Sequence, residues 1–230
     1  MTTSPASSDS DELVQRVAAN LAVVRARIAS TGRDPQGIRI VGVTKTFGVA
    51  EVRAASAVGL RDVGENYVDE LETKRAEGSD IDVRWHYLGA LQTNKIARVT
   101  KVADLLCGVS RVKEIEKIVE GRPAMAIYVQ VDFTDADGRN GAQPSDVASL
   151  VARARELGLD VQGLMTVAPL GAEGARRAFS ATTRLADDLG LIERSMGMSD
   201  DLEIACEQGT SEVRIGRAIF GPRMVVSALT

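Results

Sequence analysis

From residue 38 onward the chain switches repeatedly between two hydrophobic rhythms. Short runs rich in Val, Ile and Leu predict buried strands, and longer stretches with apolar residues every three or four positions predict helices. The strands are expected over 38–43, 61–63, 83–88, 104–107, 125–131, 161–165, 193–196 and 212–215. Helices are expected over 49–58, up to about 77, and over 94–102, 112–120, 144–157, 174–189 and 199–208. Strands and helices of these lengths, joined by short links, imply a parallel sheet. Eight such units point to an α/β fold closed as a (β/α)8 TIM barrel rather than an open doubly wound sheet. Ahead of the first strand, Leu13, Val17, Leu21, Val24 and Ile28 mark an extra helix over 11–30, capped by Asp9 or Ser10 and ended by Gly32. The polar residues 1–8 read as a disordered tail, and 9–230 as one barrel domain without a second.

Composition narrows the function. The chain has 230 residues, 28 Lys+Arg against 32 Asp+Glu and a net charge of −4, so no basic surplus argues for nucleic acid or an anionic membrane. No apolar run approaches a membrane span, and residues 1–11 lack the apolar core of a signal peptide. Cys107 and Cys206 stand far apart, and His86 is the one histidine, so neither a disulfide framework nor a multi-histidine metal site is indicated. A cytoplasmic, reduced, metal-independent protein is expected.

The candidate chemistry sits at strand ends, where parallel α/β folds open their pockets. Lys45 closes the run Ile38-Arg39-Ile40-Val41-Gly42-Val43-Thr44-Lys45. A partly desolvated amine there reaches its neutral, nucleophilic form more easily, although a snorkelling surface lysine fits the segment alone. After the seventh strand comes Ser195-Met196-Gly197-Met198-Ser199-Asp200-Asp201, with Ser199 positioned as a helix N-cap. After the eighth comes Arg214-Ile215-Gly216-Arg217, where Gly216 permits close backbone approach. Each is compatible with an ordinary cap or turn, but together they suit a phosphate. A lysine beside a phosphate cup suggests a phosphorylated aldehyde held as a Schiff base, and pyridoxal 5′-phosphate is the usual such cofactor.

Val43-Thr44-Lys45-Thr46, Gly64-Glu65-Asn66-Tyr67-Val68, Trp85-His86-Tyr87-Leu88-Gly89-Ala90-Leu91-Gln92-Thr93-Asn94-Lys95, the Ser195–Asp201 segment and Arg214-Ile215-Gly216 together resemble the YggS/PROSC family of pyridoxal phosphate homeostasis proteins. The resemblance implies a fold-type III barrel like the N-terminal domain of alanine racemase, with Lys45 as the Schiff-base residue. It further implies that Ser199 and Gly216 hold the phosphate, that Asn66 lies close to the ring and that Arg214 points toward the pyridine nitrogen. An arginine there donates and does not readily accept a proton, leaving a weaker electron sink. Arg217 departs from the family, which usually has a small hydroxyl residue there, commonly threonine, as a further phosphate ligand. It could pair with the phosphate or swing to solvent. His86 could flank the ring or be a hydrogen-bonded wall residue, with Trp85 packing on the opposite face; Met165 could line the pocket or the core. The charges between Tyr67 and Glu77 read as a solvated helix face.

Two function classes compete. One is a carrier or regulator of pyridoxal phosphate with little catalysis, monomeric, meeting apo-enzymes and amino acids. The other is a small amino-acid racemase, which needs a base on each face of the substrate. In racemases of this type the second base comes from a C-terminal domain, and none is expected before Thr230. A sugar-phosphate isomerase is a further alternative, with Glu65 as its one candidate carboxylate, although local pairing suits that residue better.

Overall fold

The computed structural model describes residues 5–134 and 139–222, with side chains from residue 9 onward. Eight strands follow one another in chain order as β1 (Arg39–Val43), β2 (Asp62–Glu65), β3 (Arg84–Tyr87), β4 (Leu105–Val109), β5 (Ala126–Val131), β6 (Asp160–Thr166), β7 (Glu193–Ser195) and β8 (Glu212–Ile215). They close into a barrel, each pairing parallel with the next, and β1 pairs with β8 in the register Val41↔Arg214. This is the eight-unit topology that the alternation of strand and helix patterns predicts.

The first helix, α1 (Pro5–Ser30), begins earlier than its apolar periodicity does. Residues 5–8, expected in the tail, are therefore helical, while 1–4 lie outside the described residues. Proline suits a first helical turn, where its missing N–H has no partner to lose. Of the predicted stripe, Val17, Leu21, Val24 and Ile28 are fully buried and Leu13 is partly buried. The stripe lays α1 against α2 (Val49–Ala57), α8 (Leu202–Glu207) and α9 (Arg217–Phe220). Arg27 fastens this helix to α8 by a fork of Nε and Nη2 on Glu203, at 2.7 and 2.8 Å, and Nη2 also donates to the Ser199 carbonyl at 2.9 Å. The Arg27 hydrogen bond holds the Glu203 carboxyl below its ordinary value of 4.5. A carboxyl with a depressed folded pKa contributes stability above its unfolded pKa and loses it as pH falls through the folded one. Glu203→Gln is therefore expected to cost no more than about 1 kcal/mol near neutral pH, because the pair is part-exposed. Thermal unfolding of parent and variant should converge as the buffer is acidified below the glutamate range; a difference that persists there would contradict this account.

Alternation along the strands divides the molecule into two compartments. Outward-facing residues such as Val63, Trp85, Leu106 and Ile127 join the helices in the main core. Inward-facing Leu105, Cys107, Tyr128 and Met165 fill the barrel's middle. Beneath them lies an ionic plug: Arg39 pairs with Glu193 at 2.9 Å and Glu212 at 3.2 Å, and Tyr128 Oη donates to Glu212 at 3.2 Å. This plug fills the N-terminal end of the barrel, opposite the C-terminal ends of the strands. Among the described residues no helix is long and apolar enough to cross a membrane.

Candidate functional site

A cavity of about 360 Å³ opens at those C-terminal ends. Lys45, Asn66, Met165, Ser199, Arg214, Gly216 and Arg217 all line it. Five strand ends thus bring together residues as far apart in sequence as 45 and 217. A larger hollow, about 1190 Å³, lies along α7 (Ala172–Asp188) and is lined by residues such as Leu170, Arg176 and Arg184. It contains none of the candidate residues singled out in the sequence, and the chemistry therefore belongs to the smaller cavity.

Lys45 follows β1 in the tight turn that leads to α2, half-buried at the cavity wall. The next residue, Thr46, has φ of +67°, a left-handed conformation uncommon for a residue with a branched side chain. Below the lysine, Gly42 keeps the outer barrel wall clear, since a Cβ there would meet the Phe220 ring at 3.1 Å. Phe220 in turn packs against Phe47, ring centroids 5.7 Å apart, and Phe47 forms part of the cavity lining.

Arg214 enters from β8 and is buried. Its Nη1 donates to the Ser195 carbonyl at 2.6 Å and to Ser195 Oγ at 2.8 Å, and its Nη2 donates to the Thr166 carbonyl at 2.8 Å. Three of the five guanidinium N–H groups are thereby spent on holding the side chain rigid, leaving two to address the cavity. Burial pulls this guanidinium below its usual value, with Glu212 acting in the opposite direction. The fixed fork makes Arg214 a preorganised donor that cannot act as a base.

Ser199 lies in the cavity wall but does not cap a helix. The following helix α8 starts at Leu202 with Asp201 as its N-cap, and Asp201 Oδ1 accepts from the Met198 amide at 2.5 Å. The Ser-Asp-Asp run offers three possible caps, and packing of Leu202 into the core selects the last. Ser199 is held by its carbonyl instead, through Arg27. Gly216 precedes α9, and a Cβ there would lie 3.3 Å from the Val43 carbonyl, so the two strand ends meet closely at this point. Arg217, the departure from the family motif, reaches across the mouth to Asp200 at 3.1 Å. It thus joins the loops after β7 and β8 and is exposed on the rim.

His86 is not part of the cavity lining. It faces inward as its strand position requires, but one layer deeper, because Leu88 occupies the lining position two residues on. Its Nε2 donates to Asp62 Oδ1 at 2.8 Å, and Nδ1 lies 3.9 Å from Glu212 Oε2, within the polar interior of the barrel. This makes it a hydrogen-bonded interior residue that lies below the cavity lining. Glu65 faces the other way, toward α3 (Val68–Glu77), where it accepts from Lys74 and Thr44. The charges of α3 are not uniformly solvated: Lys74 is only 4% exposed. The Glu70–Lys74 spacing of four was the available signal, although it does not say which side of the helix is covered. Phe47, Leu88, Val167 and Asp200 also line the cavity. Leu88 was accessible from strand alternation; the others depend on how loops fold over the barrel.

The family model for the alanine racemase N-terminal domain matches residues 14–224. A pyridoxal phosphate homeostasis protein of Pseudomonas aeruginosa is 39% identical over 220 residues, covering 90% of this chain and 96% of the relative. The structure of PipY from Synechococcus elongatus with PLP bound aligns with a TM-score of 0.77 at 30% identity, covering 89% of this chain and 100% of that one. An alanine racemase from Streptomyces lavendulae aligns with a TM-score of 0.72 at 22% identity, a likeness of fold, and this chain spans 57% of it.

Proposed function

Since this chain belongs to the family of pyridoxal phosphate homeostasis proteins, built on the alanine racemase N-terminal domain, we propose that it binds pyridoxal 5′-phosphate in the strand-end cavity and serves intracellular supply of that cofactor. The single observation that carries this reading is the meeting of Lys45, Arg214, Ser199 and Gly216 in one cavity of about 360 Å³, within the size range of small-molecule sites. The donor set suits the group: an amine for its aldehyde, a rigid guanidinium for its ring, and a hydroxyl with glycine backbone for its phosphate. When bound, the cofactor supplies an aldehyde that condenses with an amine and releases water. Lys45 is the amine this chain would offer, Asn66 and Met165 would border the ring, and Arg217 stands at the rim, where a bound phosphate would compete with Asp200 for its charge.

The arrangement supports a carrier better than a racemase. Racemisation needs a positioned acid or base on each face of the substrate, worth ~10²–10⁴-fold apiece. Lys45 can serve one face. Among the described residues no tyrosine lines the cavity: Tyr67 is exposed, Tyr87 faces the helices, and Tyr128 lies below within the barrel. Burial, reinforced by Glu212, pushes the Tyr128 phenol well above its ordinary range and keeps it protonated. Arg214 cannot accept a proton. The finer reading is a monomeric cytoplasmic protein that exchanges its cofactor with apo-enzymes or amino acids. The test is α-proton exchange into deuterated buffer, with cofactor-loaded protein and a panel of L-amino acids. Exchange far below the ~1–10³ s⁻¹ of ordinary enzymes is expected; turnover within that range would overturn the carrier assignment.

A further inference from the structure

Lys45 is flanked on both sides by backbone that one buried ionic cluster holds. On the preceding residue, Lys74 Nζ donates to the Thr44 carbonyl at 2.7 Å, and Thr44 Oγ1 donates to Glu65 Oε1 at 2.6 Å. On the following residue, the Thr46 amide donates to Glu70 Oε2 at 2.8 Å. Lys74 joins the two halves, donating to Glu65 Oε1 at 2.7 Å and Glu70 Oε2 at 3.0 Å. Its three N–H groups are thus all used, each on a group that touches residue 44 or 46 directly or through a glutamate.

This cluster is an expensive way to fill space. Lys74 and Glu65 are withdrawn from water, and Glu65 Oε2 is buried with no hydrogen-bond partner among the described residues. Well-packed apolar residues of similar volume commonly stabilise a fold as well as a buried ion pair does. Burial raises the Glu65 carboxyl, against the pull of Lys74. Burial acts the same way on Glu70, but the Thr46 amide and Lys74 outweigh it and leave that carboxyl lowered. The cluster lies on the helix side of the barrel wall, and none of its members lines the cavity. What it does hold is a strained turn, with Thr46 at φ +67°. A residue with a Cβ keeps such a conformation only where its surroundings over-determine it.

We propose that Lys74, Glu65 and Glu70 are positioning residues for Lys45, a clamp on the peptide units before and after it that aims its amine into the cavity. The inference rests on the reading of Lys45 as the attachment point. Aim matters because a displacement of ~1 Å in a reacting group costs up to ~10²-fold in rate. The clamp acts through the backbone and leaves the intrinsic reactivity of the amine alone.

Two rates at Lys45 separate aim from reactivity. One is the appearance of a borohydride-trapped adduct after mixing with pyridoxal phosphate, assigned by peptide mass mapping. The other is trace acetylation by acetic anhydride in protein without added aldehyde. Glu70→Ala removes the acceptor of the Thr46 amide at a part-exposed site, so the variant should fold. It is expected to slow trapping by about tenfold, within that range for misplacement, while acetylation changes by less than about twofold. Glu70→Gln, which keeps an oxygen acceptor, should recover most of the rate, and Lys74→Met should lose more than Glu70→Ala. Wild-type trapping in Glu70→Ala, or a proportional fall in both rates, would overturn the clamp. A wild-type protein that takes no aldehyde at Lys45 would instead remove the reading on which it stands.

Discussion

Lys45→Ala is expected to abolish covalent capture of pyridoxal phosphate, lowering the borohydride-trapped adduct by about 100-fold or more, the scale set by losing a held reacting group. The wild-type protein mixed with the cofactor should show a visible absorbance band that borohydride removes, with the added mass on the peptide containing Lys45. The alternatives within reach of a reagent are poorly placed. Lys74 spends all three of its N–H groups inside the wall, and Lys95 precedes α4 (Ile96–Val102) rather than ending a strand. The variant keeps Arg214, Gly216 and Ser199, so weak retention of the phosphate end should survive the loss of the linkage. Adduct recovered on Lys95 in the wild-type protein, with Lys45 unmodified, would refute the assignment of the attachment point.

Gly89→Ala carries the next largest expectation, and it joins stability to the site. Gly89 belongs to the loop after β3, and a Cβ built there lies 2.2 Å from the backbone oxygen of Asn66 and 2.9 Å from the Tyr87 ring and hydroxyl. Such contacts are far inside van der Waals distance, and the nearest obstacle is main chain that cannot rotate aside. Overpacking of this kind costs ~1–3 kcal/mol, and a backbone obstacle argues for about 3. A domain of this size loses ~2–4 °C in Tm per kcal/mol, which makes the shift readily measurable. Because the displaced residue is Asn66, which lines the cavity, retention of cofactor should fall with stability. Gly48→Ala is the control: φ there is −91° and the nearest atom to a Cβ is a glutamate oxygen at 3.6 Å. Its effect should be small. A Gly89→Ala protein that melts with the wild type would show that Asn66 can move aside freely.

The two glycines differ in a way that the sequence does not display. Gly89 sits in a long motif, but the reason for it is a neighbour from β2 that only the folded barrel brings within reach. His86 makes the same point from the other side. Strand alternation put its side chain inside the barrel, and the structure agrees, but depth along the barrel axis follows from register between neighbouring strands. In that register Gly64 pairs with His86, and Leu88 takes the layer above. The helix start at Asp201 rather than Ser199 is a further case, since three consecutive polar residues have comparable capping ability and packing of the next apolar residue decides among them.

What the sequence by itself determined is whatever depends on local repetition. A period of two or an unbroken apolar run makes a strand, a period near 3.6 makes a helix, and eight alternations in order close a barrel. Strand ends follow from the same pattern, so Lys45 and Gly216 could be assigned to the mouth of one cavity from the sequence, whereas Arg214 entered only through the family resemblance. The tertiary structure decided which charges are covered. Lys74 looks like a surface residue in a run of polar ones, yet the wall of β1 and β2 buries it against Thr44 and Glu65. Local periodicity carries no information about which distant segment approaches a helix face, and desolvation is set by that approach alone.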